Sequence, residues 1–138
     1  MVVTKQISLQ TQGQCDIIDI TPRVAEQVTE AGVNSGTATI FVAGSTAGLT
    51  TMEFEPGLLA DFKDVWERLI PQNIPYDHDR RWVDGNGYSH VRASLLGASL
   101  AVPFTDKKLA LSTWQQIVLV DFDNRPRSRE IIVQIMGE

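Results

Sequence analysis

Apolar and polar positions along the chain switch between two periods, and the switches divide it into elements. Val2–Leu9 and Cys15–Ile20 have strand character and flank "QTQGQ", whose glycine suits a longer hairpin loop. In "TPRVAEQVTEAG" the period becomes helical. Val24 and Val28 share a face with Ala25 and Ala31 beside them, Thr21 stands as N-cap, Pro22 at the first helical position and Gly32 at the end. Strand pattern returns in Gly36–Gly44 and, after the small-residue break "GSTAG", in "TTMEFE". There Met52 and Phe54 point one way while Thr51, Glu53 and Glu55 point the other.

Pro56 opens a second helix with an apolar stripe of Leu58, Leu59, Phe62, Val65, Trp66 and Leu69, and Pro71 ends it. The longest polar interruption, Pro71–Ser89, reads as a loop inside the domain, and loops of that length are usually functional or mobile. A brief helix follows over Ser89–Leu96, closed by Gly97. The remainder reads as an antiparallel meander: Ser99–Phe104, Leu109–Ser112, Gln115–Phe122 and Arg129–Met136, with turns at "TDKK" and "DNRPR".

Two of these strands do not alternate. "IVLV" and "IIVQIM" are nearly continuous apolar runs, so both of their faces must be covered. Three short helices are few for two sheets, and the economical arrangement is a sandwich whose outer face packs on other subunits, a homo-oligomer.

Composition narrows the class. At 138 residues, 43% hydrophobic and 21% charged, the chain suits one globular domain over 1–138. A net charge of −5 without a basic block argues against nucleic acid as a partner. The single Cys15 cannot form an intrachain disulfide, and no long apolar stretch reads as an export signal or membrane span. The expectation is a soluble, cytoplasmic protein with no membrane partner.

The candidate chemistry gathers in a few places. The Gly44–Gly48 loop of small residues can cup an anion with backbone N–H groups, Ser45 and Thr46 adding hydroxyls; a tight strand connection explains it about as well. Glu53 and Glu55, on one strand face, can approach one ligand or cation, Glu53 being the deeper. His78, Asp79, Arg80, Arg81 and Asp84 crowd the long loop and His90 follows, the composition that proton transfer uses. The spacing of the two histidines matches no closed zinc pattern. In "DGNGYSH", Gly85 and Gly87 allow positive φ, Asn86 tolerates it and Ser89 caps a helix carrying His90, which aims Gly87 and neighbouring amides at an anion. Trp114 and Gln115 lie at a strand junction, and Arg127 and Arg129 are spaced to clamp a phosphate.

Taken together, "GSTAGLTTMEFEPGLLADF", "HDRRWVDGNGYSHVRASLLGASLAVPF", "LALSTWQQIVLVDFDNRPRSR" and "VQIMGE" resemble, in order and over nearly the whole chain, the YjbQ family, also called uncharacterised protein family 47. The resemblance implies an α+β fold, two mainly antiparallel sheets in a sandwich with two to three short helices, assembled as a homotrimer. It also implies a weak thiamine-phosphate synthase-type transferase activity. Carried over by position, the family's polar cluster falls on Ser45, Thr46, Glu53, His78, Asp79, Asn86, His90, Trp114 and Gln115. Gly44 and Tyr88 stand where many relatives have histidine, which argues against a metal site built from several histidines. The combined expectation is a phosphorylated small molecule near subunit boundaries, with His90 and Glu53 moving protons or orienting the ligand, His78 and Asp79 supporting them, and Ser45, Thr46, Asn86, Gly87, Trp114, Gln115 and Arg127 in contact. Mg²⁺ is the cation expected with a pyrophosphate substrate. The rival expectation is a non-catalytic binding or assembly protein, with metal binding a third.

Overall fold

A computed structural model describes all residues, Met1–Glu138. In chain order the elements are β1 (Val2–Thr11), β2 (Asp16–Asp19), α1 (Thr21–Glu30), β3 (Gly36–Val42), β4 (Ala47–Met52), α2 (Pro56–Leu69), α3 (Asp77–Trp82), α4 (Gly87–Leu96), β5 (Ser99–Thr105), β6 (Lys108–Leu109), β7 (Gln116–Asp121) and β8 (Arg127–Gly137). They form a five-stranded sheet, β1-β8-β3-β5-β6, and a three-stranded sheet, β2-β7-β4, all pairs antiparallel. The expected α+β fold with antiparallel sheets is present, with four helices instead of two to three.

Period-two alternation builds three layers. Ile7, Ala38, Ile40, Val42, Val102, Phe104, Ile131, Val133 and Ile135 from the large sheet meet Leu49, Ile117 and Leu119 from the small one, and Val24 and Val28 of α1 close the side. The opposite face of the small sheet, with Ile17, Met52, Val118 and Val120, packs on Trp66 of α2 and Tyr88 and Ala93 of α4.

This layering corrects the account of the apolar runs. Ile117–Val120 are fully buried within one chain, because β7 is a central strand covered by a sheet on one face and helices on the other. β8 alternates after all: Ile131, Val133 and Ile135 are buried, whereas Glu130, Gln134 and Met136 are exposed. Neighbouring subunits are not needed to explain either run.

Other expectations also change. β1 and β2 are not a hairpin, since β1 pairs with β8 and β2 with β7, and Gln12–Cys15 carries the chain from one sheet to the other. That step needs Gly13, which has φ +74° and whose Cβ would lie 2.5 Å from the Arg125 carbonyl oxygen. The C-terminal half is not a meander: β7 joins the small sheet, and β8 inserts between β1 and β3. Strand β4 begins at Ala47 and stops at Met52, so Glu53 and Glu55 share no strand face. Glu55 instead caps α2, accepting from the amides of Gly57 and Leu58, where a carboxylate also complements the helix dipole. The long loop contains α3. Thr21 is the first residue of α1 with Ile20 as N-cap, because its hydroxyl is engaged by the Ile117 amide at 2.8 Å. On α2, Trp66 is buried, but Val65 and Leu69 remain exposed. No helix is long and apolar enough to cross a membrane.

Candidate functional site

The candidate site lies at the end of the small sheet where β7 leaves and β4 enters. "VLVDFDN" places Asp121 at the last position of β7 and Asp123 two residues on, both with fully buried side chains. Buried carboxylates demand partners. Arg129 of β8 supplies a bidentate one for Asp121, Nε at 2.7 Å from Oδ2 and Nη2 at 2.9 Å from Oδ1, while the Thr11 hydroxyl donates to Oδ2 at 2.6 Å. Arg129 Nη2 also donates to the Thr46 hydroxyl at 2.6 Å, and that hydroxyl donates onward to Asp123 Oδ2 at 2.8 Å.

Asp123 ties together the two glycine-bearing segments that the sequence singles out. Besides Thr46 of the first, its Oδ2 accepts Asn86 Nδ2 of the second at 3.1 Å. Arg127 Nε lies 3.0 Å from the same oxygen, but its N–H does not point along that line, so the contact is an ion pair more than a directed hydrogen bond. Burial alone would raise the Asp123 pKa; the hydrogen bonds from Thr46 and Asn86, with the contact and charge of Arg127, outweigh burial and hold it below the ordinary carboxylate value.

Asn86 is the N-cap position of α4, and its side-chain oxygen accepts from the Asn124 amide at 3.1 Å. Ser89, expected as the cap, is inside the helix and fully buried, its hydroxyl 2.5 Å from Asn86 Oδ1 and 2.6 Å from the Phe122 carbonyl oxygen. Tyr88 turns into the apolar layer under the Arg92 guanidinium, 5.0 Å from its ring centre. Position 88 therefore serves packing in this chain.

Four of the five amides at the start of α4 are not free for an incoming anion, contrary to expectation; only that of Tyr88 has no partner within the chain. The Asn86 amide donates to Asp84 Oδ1 at 3.2 Å and the Gly87 amide to Asp79 Oδ1 at 2.8 Å, while those of Ser89 and His90 reach the Asn86 carbonyl. The protein's own carboxylates occupy the positive end of this helix. A consecutive run of free amides is found on the other segment. The N–H groups of Gly44, Ser45 and Thr46 have no partner within the chain. Gly44 has φ +125°, and a Cβ there would lie 2.7 Å from Arg129 Nη1, so glycine lets the loop approach the guanidinium. Gly44 and Ser45 line a cavity of about 250 Å³ with Ala47, Ala93, Ser94 and Gly97.

His90 of α4 lies beside this loop, its ring centre 4.3 Å from that of His78 on α3. Burial pushes its pKa below the ordinary value of 6.5 and His78 adds to this; Asp84, Asp123 and the Ser45 backbone oppose the shift without reversing it. A neutral imidazole suits a base or a ligand. His78 Nδ1 lies 3.7 Å from Asp79 Oδ1 and 3.4 Å from Asp84 Oδ1.

The structure thus brings together Ser45, Thr46, His78, Asp79, Asn86, Gly87, His90 and Arg127. It leaves Glu53, Trp114 and Gln115 at the opposite end of β4, roughly 20 Å away at the rise of a strand. Glu53 is exposed just past that strand, Trp114 is 73% exposed, and Gln115 donates to the Thr51 hydroxyl at 3.3 Å. Sequence reasoning missed Asp121 and Asp123. Their signal was two acids two apart where a wholly apolar strand runs out.

Known proteins support the likeness stated from the motifs. The family model described as UPF0047 protein YjbQ-like matches residues 5–138. The UPF0047 protein of Archaeoglobus fulgidus is 39% identical over 131 residues, covering 95% of this chain and 99% of that protein. YugU of Bacillus subtilis is 34% identical, with coverage of 96% and 98%. A crystal structure of a Sulfolobus solfataricus P2 protein, described as YbjQ-like and of unknown function, superposes with a TM-score of 0.94 at 34% identity, covering 100% of this chain and 99% of that one. With the fold, the ordered motifs and these relatives in agreement over the full length, the chain belongs to the YjbQ (UPF0047) family.

Proposed function

We propose that the protein binds a phosphorylated small molecule on the Gly44–Thr46 loop, working as a homotrimer with the site near subunit boundaries. One observation carries the reading: the consecutive amides of Gly44, Ser45 and Thr46 have no partner within the chain, Gly44 and Ser45 line an open cavity, and the Arg129 guanidinium lies against Gly44. Such amides with a nearby cation favour an anion of compact charge. Thr46 contributes by positioning, since its hydroxyl is already shared between Arg129 and Asp123. Neutral His90, beside Ser45, is the proton acceptor in this scheme.

The trimer accounts for two surfaces that one chain leaves open. Phe41 and Met136 are exposed on the outer face of the large sheet, and Trp114 is exposed beside Glu53 and Gln115. A neighbouring copy covering them would carry the second polar group toward the first. A weak thiamine-phosphate synthase-type transfer is the reaction class the family resemblance suggests, with Mg²⁺ accompanying a pyrophosphate substrate. In that scheme His90 accepts or holds a proton and the loop binds phosphate.

Inorganic pyrophosphate tests the site. It should raise the thermal midpoint in proportion to occupancy, and Ser45→Asp, which puts a negative charge in the loop, should abolish the rise. An equal rise in the variant would remove the loop from the site. A protein that binds pyrophosphate but shows no turnover that His90→Ala abolishes would be the non-catalytic binder.

A further inference from the structure

We propose that His78, Asp79 and Asp84 form a binding site for a borderline divalent metal ion such as Zn²⁺, Mn²⁺ or Fe²⁺, beside the anion loop and separate from it. The site goes beyond the phosphate reading and stands without it. His78 Nδ1, Asp79 Oδ1 and Asp84 Oδ1 lie within 4.8 Å of one another. The histidine nitrogen is 3.4 Å from one carboxylate oxygen and 3.7 Å from the other. Both distances exceed the 2.7–3.2 Å or so of an N–H···O hydrogen bond. They match the edge of a tetrahedron: ligands about 2.0–2.2 Å from a central ion are about 3.4 Å apart.

Two further observations favour a cation at this position. His78 Nδ1 is shielded from solvent and has no hydrogen-bond partner, an arrangement that leaves its lone pair or its proton unsatisfied. The two carboxylates aimed at it are held there by backbone amides, Asp79 by Gly87 at 2.8 Å and Asp84 by Asn86 at 3.2 Å. Outer hydrogen bonds of this kind fix the oxygens of metal-binding carboxylates. The helix start that composition suggested for anions thus organises acids around a histidine, and acids gathered in this way attract a cation.

The donor set selects the metal. One imidazole with two carboxylates suits Zn²⁺, Mn²⁺ or Fe²⁺, whereas Mg²⁺ favours an all-oxygen octahedron. Three protein ligands leave a coordination position open for water or a ligand oxygen, as in catalytic zinc sites. The site does not use positions 44 and 88, so the absence of histidine from both does not weaken it.

Cobalt(II) is a spectroscopic probe for this geometry. Titrating it into chelator-treated full-length protein should give visible ligand-field bands of four- or five-coordinate cobalt that saturate at a single equivalent. Zn²⁺ should abolish them, and Mg²⁺ in large excess should not. Asp84→Asn keeps the size of a side chain that is 43% exposed and should weaken binding by about 100-fold or more. His78→Ala should remove the bands; should that variant fail to fold by circular dichroism, Asp84→Asn decides. Bands that never form, or that survive both substitutions, overturn the proposal. Pyrophosphate binding measured on the chelated protein separates the readings: its retention with no cobalt signal sinks the metal site alone, and its loss with cobalt bound sinks the anion loop alone.

Discussion

The two ends of the three-stranded sheet carry polar residues of similar kind and treat them differently. At the end where β7 leaves, Asp121, Asp123, Thr46, Asn86 and Arg129 are buried and bonded to one another. At the other end Glu53 and Trp114 are exposed, and the Gln115 side chain makes two long contacts, with the Thr51 hydroxyl at 3.3 Å and the Ser112 amide at 3.2 Å. Motif resemblance weighted both ends alike. Burial distinguishes them: the first is a preorganised platform of bonded, buried groups in one chain, and the second is an open surface.

The contrast is broken most severely by Arg129→Ala, which leaves Asp121 buried without its cation. We expect a loss of about 3–5 kcal/mol, measured by urea denaturation, and a loss under 1 kcal/mol would mean that water relieves the carboxylate. Asn86→Ala removes the bridge between Asp123 and the Asn124 amide and should cost about 1–3 kcal/mol in the same assay. Glu55→Ala, at the loose end, deletes an N-cap and should cost about 1 kcal/mol. It should leave pyrophosphate and cobalt binding unchanged.

Acidity provides a gentler probe. The His90 pKa is lowered in the fold, so below the ordinary value of 6.5 the unfolded chain takes up the proton first. Stability contributed by the neutral ring is therefore complete above that value and declines as pH falls toward the lowered one. His90→Gln should flatten the dependence of the urea midpoint on pH between neutral and mildly acidic solution, and an unchanged slope would assign it to another group. The smallest effect belongs to Trp114→Ala. In a 73% exposed position it should alter the stability of a single chain by no more than about 0.5 kcal/mol, while weakening any trimer seen by sedimentation.

Local chemistry was legible in the sequence where one element decides it. The Val24/Val28 face, Pro56 at the start of α2 and Gly97 at the end of α4 follow from neighbours a few positions away. Pairing was not, because the register that joins Val2 to Met136 or Asp16 to Asp121 links residues from opposite ends of the chain. The candidate site divides in the same way. Ser45 and Asn86 stood out beside glycines and His90 at the start of a helix, whereas Asp121 at a strand end and Asp123 in a turn drew no notice without the burial that gives them partners. The same limit applies to "DGNGYSH": its Gly87 amide is taken by Asp79, which comes from a helix that the sequence presented as loop.

β8, the last strand in order, lies between β1 and β3 and brings Arg127 and Arg129 to the platform. A nascent chain on the ribosome therefore holds two acids with no cation until that strand emerges. Contacts of such long sequence separation form slowly, so the site and the large sheet are completed in the same late event, and a polypeptide halted before β8 would expose both a sheet edge and an unneutralised pair of carboxylates to the cell's quality control.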